Sequence, residues 1–256
     1  MNSSGKESPA GGFNFFHMAI LICSPTAREL AALAPKILPP EGEIPEMQPM
    51  AAEIKNRKAI FLVTGVGPLN TGIAMGHVLG LQRNSDLPVT EVLYAGLAAA
   101  FDLEKTPLKT AWRIQEEIWP EYGLNDGSTV TAKAFSIPLW TRENGENVYD
   151  RLKLDDLETL GIKEKSKAFE WGSCNSITVA GTTASFARKD YLWNAFGAAL
   201  ENMEGFAAAY ACARAEIPFV EIRIVSTKTG PRSKYEKDVD GALKKLETIL
   251  PVMGLV

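Results

Sequence analysis

At 256 residues, 46% hydrophobic and 23% charged, the chain can bury a sizeable core and has ordinary globular composition, which excludes disordered and fibrous classes. Its formal net charge of −4, with Lys and Arg scattered, leaves no electrostatic footprint for nucleic acid. Three widely spaced cysteines (Cys23, Cys174, Cys212) argue against a disulfide framework or a zinc site, and no apolar run approaches the roughly 20 residues of a membrane span, so a reducing cytoplasm is expected.

Residues 1–17 are polar and Gly/Ser-rich before the short cluster Phe13–Phe16, and they read as a loosely held extension to one domain over 18–256. Met18-Ala-Ile-Leu-Ile-Cys23 is a continuous apolar run, the pattern of a strand buried on both faces, and Ser24-Pro-Thr26 opens a helical pattern over 27–38. Ala59–Thr64 repeats the buried strand, followed by the turn Gly65-Val-Gly-Pro68 and a helix over 69–81 with Pro68 at its first position. Val89–Tyr94 predicts a third strand that ends in a small-residue turn, Ala95-Gly-Leu-Ala-Ala-Ala100, where backbone can approach a ligand.

The stretch 103–173 reads as peripheral, with a strand near 110–118 and a charged helical segment over 151–167. Ser176–Ala180 predicts a strand, followed by Gly181-Thr-Thr-Ala184 and helices from Phe186 and over 204–215. A last βα pair falls at 218–225 and 237–250. Alternating strands and helices predict an α/β domain with a mixed or largely parallel sheet, helices on both faces and ligand-binding loops at strand ends.

Four stretches in order, Met18-Ala-Ile-Leu-Ile-Cys-Ser-Pro-Thr-Ala-Arg-Glu29, Gly65-Val-Gly-Pro-Leu-Asn70, Asn202-Met-Glu-Gly205 and Arg223-Ile-Val-Ser-Thr-Lys-Thr-Gly-Pro-Arg232, resemble the nucleoside phosphorylase and nucleosidase superfamily. Val225-Ser-x-x-x-Gly-Pro-Arg232 tilts the resemblance toward its futalosine hydrolase branch, which serves menaquinone biosynthesis, with methylthioadenosine/S-adenosylhomocysteine nucleosidases next. The resemblance implies a three-layer αβα sandwich around a central mixed twisted sheet. It also implies no metal, no organic cofactor, a small-molecule nucleoside substrate, and a homodimer or larger homo-oligomer.

Cleavage of an N-ribosidic bond passes through an oxocarbenium-like ribose, so the site needs an anion at the sugar, a base for water and a donor for the departing nucleobase. By the resemblance, Glu204 accepts the ribose hydroxyls and Met203 packs on the ribose face; otherwise they are a helix-capping acid and a core methionine. Glu29 matches the acid beside the nucleophilic water, against the alternative of a first-turn helix residue. Arg223 supports the carboxylates or the base loop, and Gly96 and Leu97 lie where the family carries a more Gly-rich turn.

Ser226 and Thr227 fall at the leaving-group end, where an Asp follows the Ser in the nucleosidases and an Asn in the futalosine hydrolases. A threonine hydroxyl hydrogen-bonds a base but cannot protonate it as a carboxylic acid does. Three outcomes stay open on these residues: hydrolysis of a modified purine nucleoside, phosphorolysis, and binding with little turnover. Hydrolysis is preferred, because only Arg28 offers itself to a phosphate; Arg188 and Arg232 read as residues of the surface or of a subunit contact, and Lys228 as a solvated surface lysine. No role is expected for His17 or His77, and Trp112, Trp119, Trp140 and Trp171 are open between base stacking and core.

Overall fold

The computed structural model describes residues 18–55, 57–134, 136–162 and 169–256. The expected extension over 1–17, with His17, and the end of the expected 151–167 helix lie outside the described residues.

Among the described residues, nine strands form the main sheet. The parallel strands β1 (Ala19–Ser24) and β3 (Arg57–Val63) follow the buried runs of the sequence, and β2 (Met50–Ile54) adds an antiparallel edge to β3. The alternation of β1 divides the core. Ile20 and Ile22 face one apolar cluster, with Leu30 and Leu33 of α1 (Ala27–Leu33), Leu243 and Leu246 of the helix over 239–246, and Ile249 and Leu250 of the helix over 249–252. Ala19, Leu21 and Cys23 face the other, with Met75 and Val78 of α2 (Pro68–Gln82) and with Phe206 and Cys212 of the helix over 205–215. The result is a mixed α/β architecture of three layers.

β4 (Val89–Ala100) is twice the expected length, and the predicted turn at Ala95–Ala100 is strand. Its first half pairs with β1, and its last residues pair antiparallel with β12 (Leu200–Asn202). Along its whole length from Val92 it pairs with the parallel β13 (Phe219–Lys228). β13 in turn pairs with β5 (Ala111–Ile118), β5 with β11 (Trp171–Thr178), and β11 with β12, so the strands β4, β13, β5, β11 and β12 close into a ring. Closure removes the edge that β5 and β12 would otherwise expose.

The segment 103–173 is therefore not peripheral, since β5 is a wall of the ring. Within it, Arg151–Lys153 is a short strand (β10) paired with β5, not the start of a helix. Short hairpins pair β6 (Leu124–Asn125) with β7 (Val130–Thr131) and β8 (Trp140–Thr141) with β9 (Asn147–Val148). α3 (Phe186–Phe196) is capped by Ser185, and α4 (Gly205–Ala215) follows β12 directly. α5 (Val239–Leu246) and α6 (Ile249–Val252) divide the expected last helix in two. Among the described residues no helix is long and apolar enough to cross a membrane.

Candidate functional site

The change of partner along β4 creates the site. β1 pairs as far as Tyr94 and β12 begins at Ala99, which leaves the backbone between them without a neighbour on that side. Buried polar groups left unpaired are costly, and here side chains fill the gap. Ser24 Oγ donates to the Ala95 carbonyl at 2.7 Å, and Glu29 Oε1 accepts the Leu97 N–H at 2.8 Å. Arg223 Nη1 donates to the Leu97 carbonyl at 3.1 Å, and Ser226 Oγ to the Ala98 carbonyl at 3.2 Å. Three expected site residues, Glu29, Arg223 and Ser226, thus converge on one stretch of strand.

Glu29 stands in the first turn of α1, where Thr26 is the N-cap and its hydroxyl donates to Glu29 Oε2 at 2.6 Å. Burial pushes the Glu29 carboxyl above its ordinary pKa. Its hydrogen bonds to Thr26 and Leu97 pull it back in part, and the charge of Glu204 raises it further. That balance suits a base.

Glu204 occupies the N-cap position of α4, yet its side chain does not cap the helix. Asn202 Oδ1 does so, accepting the N–H groups of Glu204 and Gly205 at 2.8 and 2.7 Å. Glu204 is thereby released to face the cavity, where Oε1 accepts the Gly67 N–H and Oε2 the Arg223 guanidinium, each at 3.2 Å. Gly67 reaches it because its φ of 92° turns the chain sharply before Pro68 opens α2. Each oxygen keeps a lone pair for a hydroxyl, the geometry a cis-diol needs.

Arg223 is fully buried. Its Nε donates to Glu221 at 2.6 Å, its Nη2 to Asn202 Oδ1 at 3.1 Å, and its guanidinium lies 5.2 Å over the Tyr94 ring. Desolvation opposes its charge, but Glu221 and Glu204 outweigh that and hold it protonated. Beneath it, Asn202 Nδ2 donates to Glu117 Oε1 and Ser176 Oγ at 2.7 Å, and Thr178 donates to Glu117 Oε2 at 2.6 Å. Glu117 and Glu221 lie near the same guanidinium; burial raises both carboxyls, and the charge of Glu221 raises Glu117 further while that of Glu204 raises Glu221, against the opposing pull of Arg223.

A cavity of about 210 Å³ opens above this network, bordered by Glu29, Val66, Leu97, Met203 and Glu204 at one end. Thr183, Glu201, Ser226, Thr227, Lys228 and Arg232 complete it. Met203 also packs against Phe101 and Ile177. Gly96 does not border the cavity but lies behind it, where a Cβ would come within 3.0 Å of Arg223 and Pro25 and 3.2 Å of Glu29. A larger cleft of about 640 Å³ runs between α2 and α4 past Trp119 and Tyr210; its lining has no carboxyl or imidazole.

At Ser226 the register of β13 slips by one residue against β4, a bulge that re-aims the strand so that Ser226, Thr227 and Lys228 all border the cavity. Strict alternation would have sent Lys228 away; it pairs instead with Glu236 at the rim. Arg232 is exposed, as expected, and also borders the cavity, donating to Thr182 Oγ1 at 2.7 Å. Arg28 pairs with Asp240 and Arg188 with Glu121, both at 2.6 Å and both outside the cavity lining. None of the tryptophans borders the cavity, and His77 is exposed on α2. No cluster of three metal-ligating side chains occurs among the described residues, and Cys23, Cys174 and Cys212 are free thiols.

Glu117, Glu201 and Glu221 have no place in the sequence motifs. The signal for Glu221 was present in Phe219-Val-Glu-Ile-Arg-Ile-Val225, where two opposite charges two residues apart share one face of an otherwise apolar strand and must be paired inside.

The family model of the phosphorylase superfamily matches residues 175–250 of the chain. The chain is similar to two futalosine hydrolases. That of Thermus thermophilus is 29% identical over 201 residues, covering 75% of this chain and 80% of the relative. That of Acidothermus cellulolyticus is 37% identical over 79 residues, a stretch spanning 30% of this chain and about a third (32%) of the relative. Among solved structures, a Campylobacter jejuni 5′-methylthioadenosine/S-adenosylhomocysteine nucleosidase superposes with a TM-score of 0.70 at 18% identity, covering 93% of this chain and 97% of that one. Native Helicobacter pylori futalosine hydrolase superposes at 0.69 and 14%, covering 93% and 97%. These likenesses share the fold.

Proposed function

We propose that the chain is an N-ribosyl hydrolase that cleaves a modified purine nucleoside of the futalosine class and releases the free base. The observation that carries this is the pairing of Glu29 and Glu204 in one cavity, each oriented by a backbone N–H and a side-chain donor. Glu204 holds the ribose hydroxyls and lends negative charge to the developing oxocarbenium. Glu29 takes the proton of the attacking water. Arg223, braced by Glu221 and Asn202, fixes Glu204 in place. Similarity to two futalosine hydrolases supports the substrate class.

Water is the nucleophile in this reading, because the cations in the cavity lining, Lys228 and Arg232, already hold Glu236 and Thr182. The test is a panel of nucleosides including futalosine and methylthioadenosine, with free base measured in the presence and absence of phosphate. Release in phosphate-free buffer is expected. Glu204→Gln should lower the rate roughly 10²- to 10³-fold, the loss typical when one charge-stabilising group is removed. Strict dependence on phosphate would make the protein a phosphorylase.

Thr227 favours a second reading, nucleoside binding without efficient turnover. Binding by calorimetry with ligand intact after long incubation would establish it; measurable turnover would remove it.

A further inference from the structure

We propose that Glu201 meets the departing nucleobase and supplies the proton that the threonine at position 227 cannot. The inference rests on the hydrolase reading and adds to it the identity of the acid. The cavity lining contains three carboxyls, Glu29, Glu201 and Glu204. Glu29 and Glu204 are committed to the ribose end by Leu97, Gly67 and Arg223.

Glu201 reaches the cavity because β12 alternates. Asn202 turns inward to Glu117 and Ser176 within the ring, which sends Glu201 to the opposite face beside Thr183, Thr227 and Arg232. The residue is only 3% exposed. Its Oε1 accepts the Thr183 N–H at 3.0 Å, and its Oε2 is bonded to the Thr183 hydroxyl. Those two contacts fix one rotamer and leave each oxygen room for one more hydrogen bond.

The charged groups around it are Arg188 on α3, engaged by Glu121, Arg232 on the loop after β13, engaged by Thr182, and Lys228 on β13, engaged by Glu236. Burial raises the Glu201 carboxyl above its ordinary pKa, and Thr183 and the two arginines only partly reverse that, so it keeps its proton to higher pH than an exposed glutamate, the direction a general acid needs.

The step balances without a co-reactant beyond water. As the bond from C1′ to the base nitrogen breaks, its electron pair goes to the base, and the Glu201 O–H proton forms the new N–H. The water oxygen bonds to C1′ and its proton passes to Glu29. Exchange through solvent then returns a proton from Glu29 to the Glu201 carboxylate.

The experiment compares wild type with Glu201→Gln on two substrates: the purine nucleoside that the wild type cleaves, and 4-nitrophenyl riboside, whose phenolate departs without protonation. Glu201→Gln should lose roughly 10²- to 10⁴-fold on the purine nucleoside, the usual worth of a general acid. It should keep its rate on the nitrophenyl riboside, which also reports that it is folded. In wild type, the fall of kcat at alkaline pH should be seen with the purine substrate and absent with the nitrophenyl one. Equal loss on both substrates would mean that Glu201 only braces the Thr183 loop. No loss on either, or a wild-type alkaline limb shared by both substrates, would also overturn the proposal. A wild type that cleaves no purine nucleoside would instead strike the hydrolase reading itself, a distinguishable result.

Discussion

At the scale of single residues, the site separates two carboxylates by environment. Glu29 is buried, with two hydrogen bonds and a like charge nearby; Glu204 is held between a backbone N–H and a guanidinium. A base works only when ionised, so activity should rise with pH through the Glu29 pKa. Burial and the Glu204 charge move that limb above the range of an exposed glutamate. Glu29→Gln should lower kcat by about 10²- to 10⁴-fold with KM little changed, and should abolish the acidic limb. Persistence of the limb in the variant would assign the water's proton to another group. Glu29 and Glu204 were visible as positions in motifs. Their orientation was not, because it depends on contacts 68 and 137 residues away in sequence, at Leu97 and Gly67.

At the scale of elements, legibility followed burial pattern. β1 and β3 were readable because strands buried on both faces carry unbroken apolar runs, and α2 because Gly67-Pro68 marks its start. β12 is only three residues long, and β4 changes partner midway, so neither leaves a periodic signature and the Ala95–Ala100 run passed for a turn. β5 was recognised as a strand, but its place in the ring depends on β11 and β13, which no local pattern encodes. The join between β12 and α4 also sets a steric limit. A Cβ on Gly205 would lie 2.5 Å from an oxygen of both Glu117 and Glu221, and neither carboxylate can retreat from its partners. Gly205→Ala should therefore destabilise by at least about 1–3 kcal/mol, the usual cost of overpacking. Gly76 on α2 has open space around its Cβ position, and Gly76→Ala should instead gain about 0.5–1 kcal/mol. Thermal melts of the two variants side by side check both signs; equal effects would mean that the carboxylate pair yields.

At the scale of the whole molecule, the closed ring encloses Glu117 and Glu221 beside Arg223, and the burial of both carboxyls makes stability depend on pH. Both carboxyls are raised in the folded state, chiefly by desolvation. The folded protein therefore binds more protons than the unfolded chain between the ordinary glutamate pKa and the raised folded values, and stability must fall as pH rises through that window. The contribution is fully present below the ordinary value and lost above the raised one. Asp238, held by the Gly241 N–H and Lys109, is shifted the other way, and its contribution is lost as pH falls through its lowered pKa. Maximum stability is thus expected on the mildly acidic side of neutrality. Glu117→Gln tests the argument, since the uncharged amide can accept from Asn202 through its oxygen while the Thr178 hydroxyl, which donates to Glu117 Oε2 in wild type, turns to Asn202 Oδ1 at 3.3 Å. The variant should match wild type at acidic pH, exceed it at alkaline pH, and flatten the decline between them in a series of chemical denaturations. An unchanged slope would place the titrating proton outside the ring. Arg223→Met should do the reverse: it leaves Glu204 and Glu221 buried without their cation, at a cost of about 3–5 kcal/mol that grows as pH rises and more carboxylates ionise.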